Sequence, residues 1–340
     1  MNTKFKLNIE MYANENSIDT TDYLARIVQK DYFLYTIATK TEIISNVKIA
    51  PQLMHDELYV GDFVAFNWNN QDCYIEQIFK RKNMVSKAFS HVAKSYHVSS
   101  YDQILATNVD QLFIVLAANQ RFTLPKLERY LLTFQQKSLN LNILLSKADY
   151  VEETKGIIGL IASYYPKINI MSVSIYQNDT IQQLKNKLEQ GKTAMFIGAS
   201  GVGKSSLINK LLMKSSEKTN LVRTDGKGKH TTTVTKMLHV EETNSYLIDS
   251  PGFKAISTTQ EMDGSVLFED IQNLAIHCKF NNCTHQHEPS CAVLHAIEIG
   301  ELSAAQLERY AIYEKKLNGT SQYKKSKKLK KHKNIKPKKK

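Results

Sequence analysis

Gly198-Ala199-Ser200-Gly201-Val202-Gly203-Lys204-Ser205 is the densest piece of chemistry in this chain of 340 residues. It matches GxxxxGK[ST] without departure. The apolar run Ala194-Met195-Phe196-Ile197 precedes it, and Leu207, Ile208, Leu211 and Leu212 follow at helical spacing. Strand, glycine loop and helix in that order make a cradle for phosphate. The glycines let successive N–H groups turn inward around phosphate oxygens, and the helix N-terminus adds partial positive charge. Lys204 is expected to reach the β- and γ-phosphates. The Ser205 hydroxyl, with Ser206 beside it, is expected to meet magnesium and the phosphates.

Two downstream segments supply what such a loop requires. Leu247-Ile248-Asp249-Ser250-Pro251-Gly252 ends an apolar strand. An Asp at a strand tip can hold magnesium through water, and the Gly252 N–H can come close to a γ-phosphate. Between loop and strand lies Gly226-Lys-Gly-Lys-His230-Thr231-Thr232-Thr233. A threonine hydroxyl there completes a magnesium shell and lets go after hydrolysis; Thr232 is the expected one, with Thr231 next to it. Small GTPases often carry a water-orienting Gln just after the Gly of the Asp motif, but here that position is Phe253. His230 is the internal candidate for orienting water, since imidazole titrates near neutrality; the alternative is a solvent-exposed histidine.

Base recognition is expected upstream. The strand Leu141–Ser146 runs into Lys147-Ala148-Asp149. An ionised Asp149 accepts both N–H groups of guanine's pyrimidine edge, which adenine does not offer. The Lys147 stem can lie over the base. Ser172-Val173-Ser174, at the end of another strand, is expected to support the base from the other side. The order is therefore base, base, phosphate, switch, switch, whereas ordinary GTPases put the phosphate loop first. A compact domain tolerates such a circular permutation because its termini often lie close together. The expected activity is GTP hydrolysis. The rival readings are an RNA-binding assembly module with a vestigial nucleotide site and an ATP-driven phosphotransferase.

A second cluster concerns metal. Cys278-x4-Cys283-x-His285-x5-Cys291 offers three thiolates and one imidazole, with His277 and His287 competing for the imidazole place. Such a set suits a closed, tetrahedral, structural zinc. The fourth cysteine, Cys73, sits in a strand pattern and reads as a core thiol.

The elements that must position these groups fall into four stretches. Residues 1–104 read as short strands rich in β-branched and aromatic residues, a small barrel. Residues 105–258 alternate apolar strands with amphipathic helices, one carrying Leu127, Tyr130, Leu131 and Phe134, another Ile181, Leu184 and Leu188. That pattern means a parallel sheet covered on both faces. Residues 259–320 are expected to be a helical zinc-binding module ending in a helix near 303–317. Residues 321–340 read as a disordered tail. Eleven lysines and no acid lie in 324–340, so most of the net charge of +12 is there and the rest of the chain is close to neutral. Such a tail grips phosphate backbone without regard to sequence. No run approaches the ~18–20 apolar residues of a membrane span, and no secretory signal pattern opens the chain. A cytoplasmic location is expected.

Taken in order, the barrel pattern, the permuted motifs, GASGVGKS, HTTT, DSPGF and CKFNNCTHQHEPSCAV resemble the RsgA (YjeQ) family of bacterial ribosome small-subunit-dependent GTPases, over about residues 20–317. The resemblance implies an N-terminal OB-fold that binds RNA, a central circularly permuted GTPase and a C-terminal zinc domain. It implies GTP and Mg2+ at the nucleotide site and one zinc on Cys278, Cys283, His285 and Cys291. His230 falls on the proposed catalytic histidine. The implied partner is the small ribosomal subunit with its rRNA, which stimulates hydrolysis late in its maturation; no membrane is involved and the chain is expected to act as a monomer. Three positions depart from the family pattern: Ser146 replaces the usual Asn, Ser172-Val173 replaces Ser-Ala, and Ser290 stands where Gly is common.

Overall fold

The computed structural model describes residues 4–19, 22–31, 34–90, 100–134, 136, 138–213, 235–249 and 267–315. His230, Thr231, Thr232, Gly252, Phe253 and the lysine tail lie outside them. The described residues fall into two compact units. One comprises Met1–Ile157 with Asn169–Glu261, the other Ile158–Ile168 with Met262–Lys340.

The first unit opens with a helix, α1 (Lys6–Glu15), that strand patterning does not anticipate. Five strands follow: β1 (Leu24–Asp31), β2 (Leu34–Ala38), β3 (Ile43–Ile49), β4 (Phe63–Asn69) and β5 (Asp72–Ile78). β1 pairs with β2, β2 with β3, β3 with β5 in parallel, β5 with β4, and β4 back with β1. The sheet thus closes on itself as the five-stranded barrel expected from the resemblance. Its wall turns at Gly61, where a side chain would put Cβ 2.1 Å from the Thr107 carbonyl oxygen. The next residue, Asp62, is fully buried. Its carboxylate accepts from Arg81 Nε (2.7 Å) and Nη2 (2.8 Å), Thr107 Oγ1 (2.7 Å) and the Tyr59 amide (2.9 Å). Four donors on one buried carboxylate satisfy it completely and fix the barrel to the hairpin that follows. That hairpin is β6 (Met84–Ser90) with β7 (Ser100–Thr107). Cys73 is a buried core thiol, and burial pushes it up to about 11.

The chain then enters a doubly covered sheet: β8 (Gln111–Ala117), α2 (Leu124–Phe134), β9 (Asn140–Ser146), α3 (Val151–Tyr164), β10 (Ile170–Val173), α4 (Asn178–Lys187), β11 (Thr193–Ile197), α5 (Lys204–Leu212), β12 (Lys236–Val240) and β13 (Ser245–Asp249). The strand order is β10-β9-β8-β11-β13-β12. All neighbours are parallel except β12 and β13. β8 and β11 are buried at every position, as strands covered on both faces must be. The core joins Phe113 and Phe196, stacked at 4.9 Å, to Leu184 and Leu188 and to Leu207, Ile208 and Leu211. The expected faces of α2 and α4 are buried; Leu212, expected beside Leu211, is instead partly exposed at the end of its helix.

In the second unit, α6 (Glu269–Ala275) and α7 (Ala292–Glu298) flank the cysteine segment, and a last helix is described over 304–315. Phe268 is its hub, buried against the rings of Tyr310 (5.5 Å) and Tyr313 (5.4 Å). The chain through residues 158–168 belongs here. Lys167 pairs with Asp270 at 2.6 Å, and Ser303 donates to the Ser163 carbonyl at 3.0 Å.

Candidate functional site

Among the described residues, the strand ends that lead to Ser146, Gly198 and Asp249 share the C-terminal edge of the parallel sheet, where ligands bind in such folds. In the registers, Ala117 of β8 lies opposite Ser146 of β9, which lies opposite Val173 of β10. On the other side, Met195 pairs with Ile248, so Gly198 and Asp249 leave their strands close to the same level.

The phosphate end is shaped by backbone. Gly198 presses on β8, and a Cβ there would lie 2.3 Å from the Val115 carbonyl oxygen. Gly201 and Gly203 hold φ of 76° and 93°, left-handed values that side chains resist. Gly203 is the N-cap of α5, with no side chain capping the helix and no acidic residue in its first turn. Among the described residues no side chain caps the first amides of α5, as an anion site requires. The Lys204 ammonium folds back onto the loop, donating to the carbonyls of Gly198 (2.8 Å) and Ala199 (3.0 Å). Burial pushes Lys204 below the ordinary lysine value, with Asp249 opposing. Burial likewise raises Asp249 above the usual carboxylate range, with Lys204 opposing. A cation and an anion are thus held partly desolvated against each other.

The base end is shaped by side chains. Lys147 takes φ of 57°, so the chain turns sharply after Ser146 and presents Asp149. The Ala148 amide donates to the Val173 carbonyl at 3.1 Å, tying this turn to the tip of β10. The Ser174 hydroxyl, fully buried, donates to Asp149 Oδ1 at 2.7 Å. Ser146 is also buried; its hydroxyl lies 2.9 Å from the Leu116 carbonyl oxygen and 2.5 Å from that of Val202. One residue thus spans from the base-side strand to the phosphate loop.

A cavity of about 230 Å³ joins the base end to the start of α5, lined by Lys147, Asp149, Tyr150, Ile175, Tyr176, the loop residue Gly203 and Ser206 of α5, among others. Beside Asp149 it is walled by Ile175 and Tyr176, which follow directly on the expected Ser172-Val173-Ser174. Val173 is instead packed in the core and Ser172 is only half-buried within β10. Ser205 is exposed at the start of α5. The oxygen pair of Ser205 and Asp249 is a donor set that fits a hard cation such as Mg2+. Tyr176 is 80% exposed and lies three residues past the end of β10.

In the second unit, Cys278, Cys283, His285 and Cys291 put their ligand atoms within 4.8 Å of one another. Cys278 Sγ lies 3.8 Å from Cys291 Sγ and 3.6 Å from His285 Nδ1, and that nitrogen lies 3.4 Å from Cys291 Sγ. A tetrahedron with Zn–S bonds of ~2.3 Å has edges of about 3.8 Å, so the site fits zinc. His277 and His287 are not in this group. Ser290 holds φ of 58°, which explains why glycine suits that position. Glu288 is the residue that spacing did not reveal. Its carboxylate accepts from the Thr284 amide (2.8 Å) and hydroxyl (2.5 Å) and from the amides of Gln286 (3.0 Å) and His287 (3.2 Å). Those bonds, Thr284 foremost, hold it well below the usual carboxylate range and shape the turn that presents His285.

A glycine loop before a helix, an Asp at the tip of the next parallel strand and Asp149 sharing one cavity with Gly203 belong to a P-loop GTPase, an enzyme that hydrolyses GTP. Comparison with known proteins narrows the class. The RsgA GTPase family model matches residues 78–259, more than half the chain, and the chain belongs to that family. A model described as 50S ribosome-binding GTPase matches residues 193–329. The small ribosomal subunit biogenesis GTPase RsgA 2 of Vibrio parahaemolyticus is 33% identical over 87% of this chain and 80% of its own length. The small ribosomal subunit biogenesis GTPase RsgA of Xanthomonas axonopodis pv. citri is 31% identical over 84% of this chain and 78% of its own. In fold, the chain is similar to YjeQ from Thermotoga maritima (TM-score 0.62, 24% identity, 87% of this chain and 98% of that one). It is also similar to YloQ, described as a circularly permuted GTPase (TM-score 0.59, 22% identity, 87% and 95%). The permuted motif order is therefore that of the fold. No helix of the described residues is long and apolar enough to cross a membrane.

Proposed function

We propose that this chain binds the small ribosomal subunit and its rRNA late in assembly, in the cytoplasm and as a monomer, and that GTP hydrolysis, stimulated by the subunit, releases it. The observation that carries the nucleotide half of this reading is the single cavity lined by Asp149 and by Gly203 and Ser206. Asp149 accepts from the guanine edge, Lys147 covers the base, and Ala148, Ser174 and Ile175 complete that end. Gly198 to Ser206 wrap the phosphates. Ser205, Thr232 and Asp249 hold Mg2+, which when bound neutralises charge on the phosphates. Thr232 and Gly252 sense the γ-phosphate, and His230 orients water. Zinc on Cys278, Cys283, His285 and Cys291 braces the C-terminal module.

The ribosomal half rests on the names of the relatives and on the barrel, a fold that binds RNA by shape and stacking. The lysine tail adds a sequence-independent grip on phosphate. The test is GTP hydrolysis by wild type and His230→Ala with no subunit, with purified small subunits and with purified large subunits. Stimulation by small subunits alone is expected, and lost in the variant. Stimulation by large subunits alone would overturn the choice of partner. Full stimulation of the variant would remove His230 from the mechanism.

A further inference from the structure

Arg26 of β1 is the largest fully buried side chain, 1% exposed. Among the described residues it makes no ion pair. Its donors go to neutral acceptors in four places. Nη1 meets Asn8 Oδ1 of α1 (2.5 Å) and Thr193 Oγ1 (2.7 Å), Nη2 meets the Asn108 carbonyl (2.8 Å), and Nε meets the Gly61 carbonyl (3.1 Å). The guanidinium also lies 4.6 Å from the Phe63 ring centre. Burial holds it down to about 10, so it stays charged at neutral pH. Asp110 and Asp62 favour the charge from a distance, and a buried charge with no carboxylate in direct contact persists where its hydrogen-bonding geometry is fully used. Thr193 is the first residue of β11, the strand that delivers the phosphate loop.

Three residues further along β1, Gln29 pairs with Lys236, the first residue of β12. Lys236 pairs in turn with Asp249. A single row across three strands, Gln29–Lys236–Asp249, therefore runs from the barrel wall to the aspartate at the nucleotide site. β12 is also the strand that receives the chain from the His230–Thr233 segment. β1 touches both the strand before the phosphate loop and the strand after the first switch.

We infer that β1 couples the RNA-binding barrel to the nucleotide state, with Arg26 as the positioning residue that fixes the barrel against β11 while the Gln29–Lys236–Asp249 row carries displacement of the switch strands into the barrel. This rests on the reading that the barrel binds RNA under nucleotide control. Loss of the γ-phosphate shifts β12 and Asp249, and the ladder passes that shift to β1. RNA seated on the barrel acts back on Asp249 to the same extent, since coupling between sites is reciprocal. Arg26→Lys keeps the charge but cannot reach four acceptors. Gln29→Pro removes a backbone donor from a residue that pairs with both β2 and β12, at the edge of a β-bulge.

The experiment compares wild type, Arg26→Lys and Gln29→Pro as full chains. Amide hydrogen exchange of β1 and β2 is followed with a non-hydrolysable GTP analogue and with GDP, no subunit being present. Subunit affinity is then measured with each nucleotide, and basal hydrolysis checks folding. In wild type the two nucleotides should give different barrel protection and a subunit affinity ratio in the ~5–150-fold range of allosteric coupling. Both variants should keep basal hydrolysis while the difference in protection disappears and the ratio falls toward one. Equal protection with both nucleotides in wild type, or a difference retained by both variants, would overturn the coupling. If wild-type protection differs but subunits bind equally with either nucleotide, the ribosomal reading fails while the internal coupling stands.

Discussion

The two ends of the nucleotide cavity are built by different means. At the phosphate end the shape is made by main chain: three glycines, an uncapped helix start and a lysine resting on the loop's own carbonyls. At the base end it is made by side chains, with Ser174 holding Asp149 and Ser146 reaching Val202. Backbone-built recognition tolerates no added atom but asks little of side-chain identity. Side-chain recognition can be exchanged one hydrogen bond at a time, which is why the base end departs from its family pattern at Ser146 while the loop departs nowhere.

The largest effect expected from this contrast is at Gly198. A Cβ at 2.3 Å from the Val115 oxygen meets backbone of a central strand, which cannot yield. Gly198→Ala should lower affinity for GTP and GDP alike by ~100-fold or more, comparable to ~3 kcal/mol of strain and lost contacts. Calorimetric titration checks it, and an affinity within threefold of wild type would break the contrast. A smaller effect comes from pH. Burial lowers Lys204 in the free protein, and bound phosphates raise it again. Nucleotide binding should therefore take up a proton on the alkaline side, and affinity should fall as pH rises through the lowered lysine value. Binding heats in buffers of different ionisation enthalpy read the proton directly. The smallest effect is expected at Ser174→Ala, which removes one hydrogen bond to the Asp149 carboxylate. A loss of ~3- to 15-fold in guanine nucleotide affinity follows from ~1 kcal/mol or slightly more. Equal loss for ATP would show that the serine acts on the fold rather than on base choice.

The same contrast governs what was legible in the sequence. The phosphate loop announces itself because its conformation demands glycine at fixed spacing, and the zinc set because few side chains bind that metal. At the base end the sequence named the segment Ser172-Val173-Ser174 but not which of its residues meets Asp149. Ser-Val-Ser at 172–174 repeats the same types, and only the end of β10 at Val173 shows that Ser174 faces Asp149. α1 escaped notice because Asn8, a polar residue, sits on its buried face, where it serves Arg26 and the Gly191 carbonyl. β3 contains Ser45-Asn46, residue types that favour turns. Asn46 indeed has φ of 60°, but inside a bulged strand. Glu288 could not be found from ligand spacing, since it binds no metal and acts through backbone amides.

The central claim is that Asp149 and the phosphate loop hold opposite ends of one guanine nucleotide. Asp149→Asn tests it most directly, with affinities for GTP and for xanthosine triphosphate measured on wild type and variant. An amide offers a donor where the carboxylate offers only acceptors. The account predicts a loss of GTP affinity of ~30- to 150-fold with a gain for the xanthine nucleotide. Unchanged GTP affinity in the variant, with no gain for the other base, would contradict it.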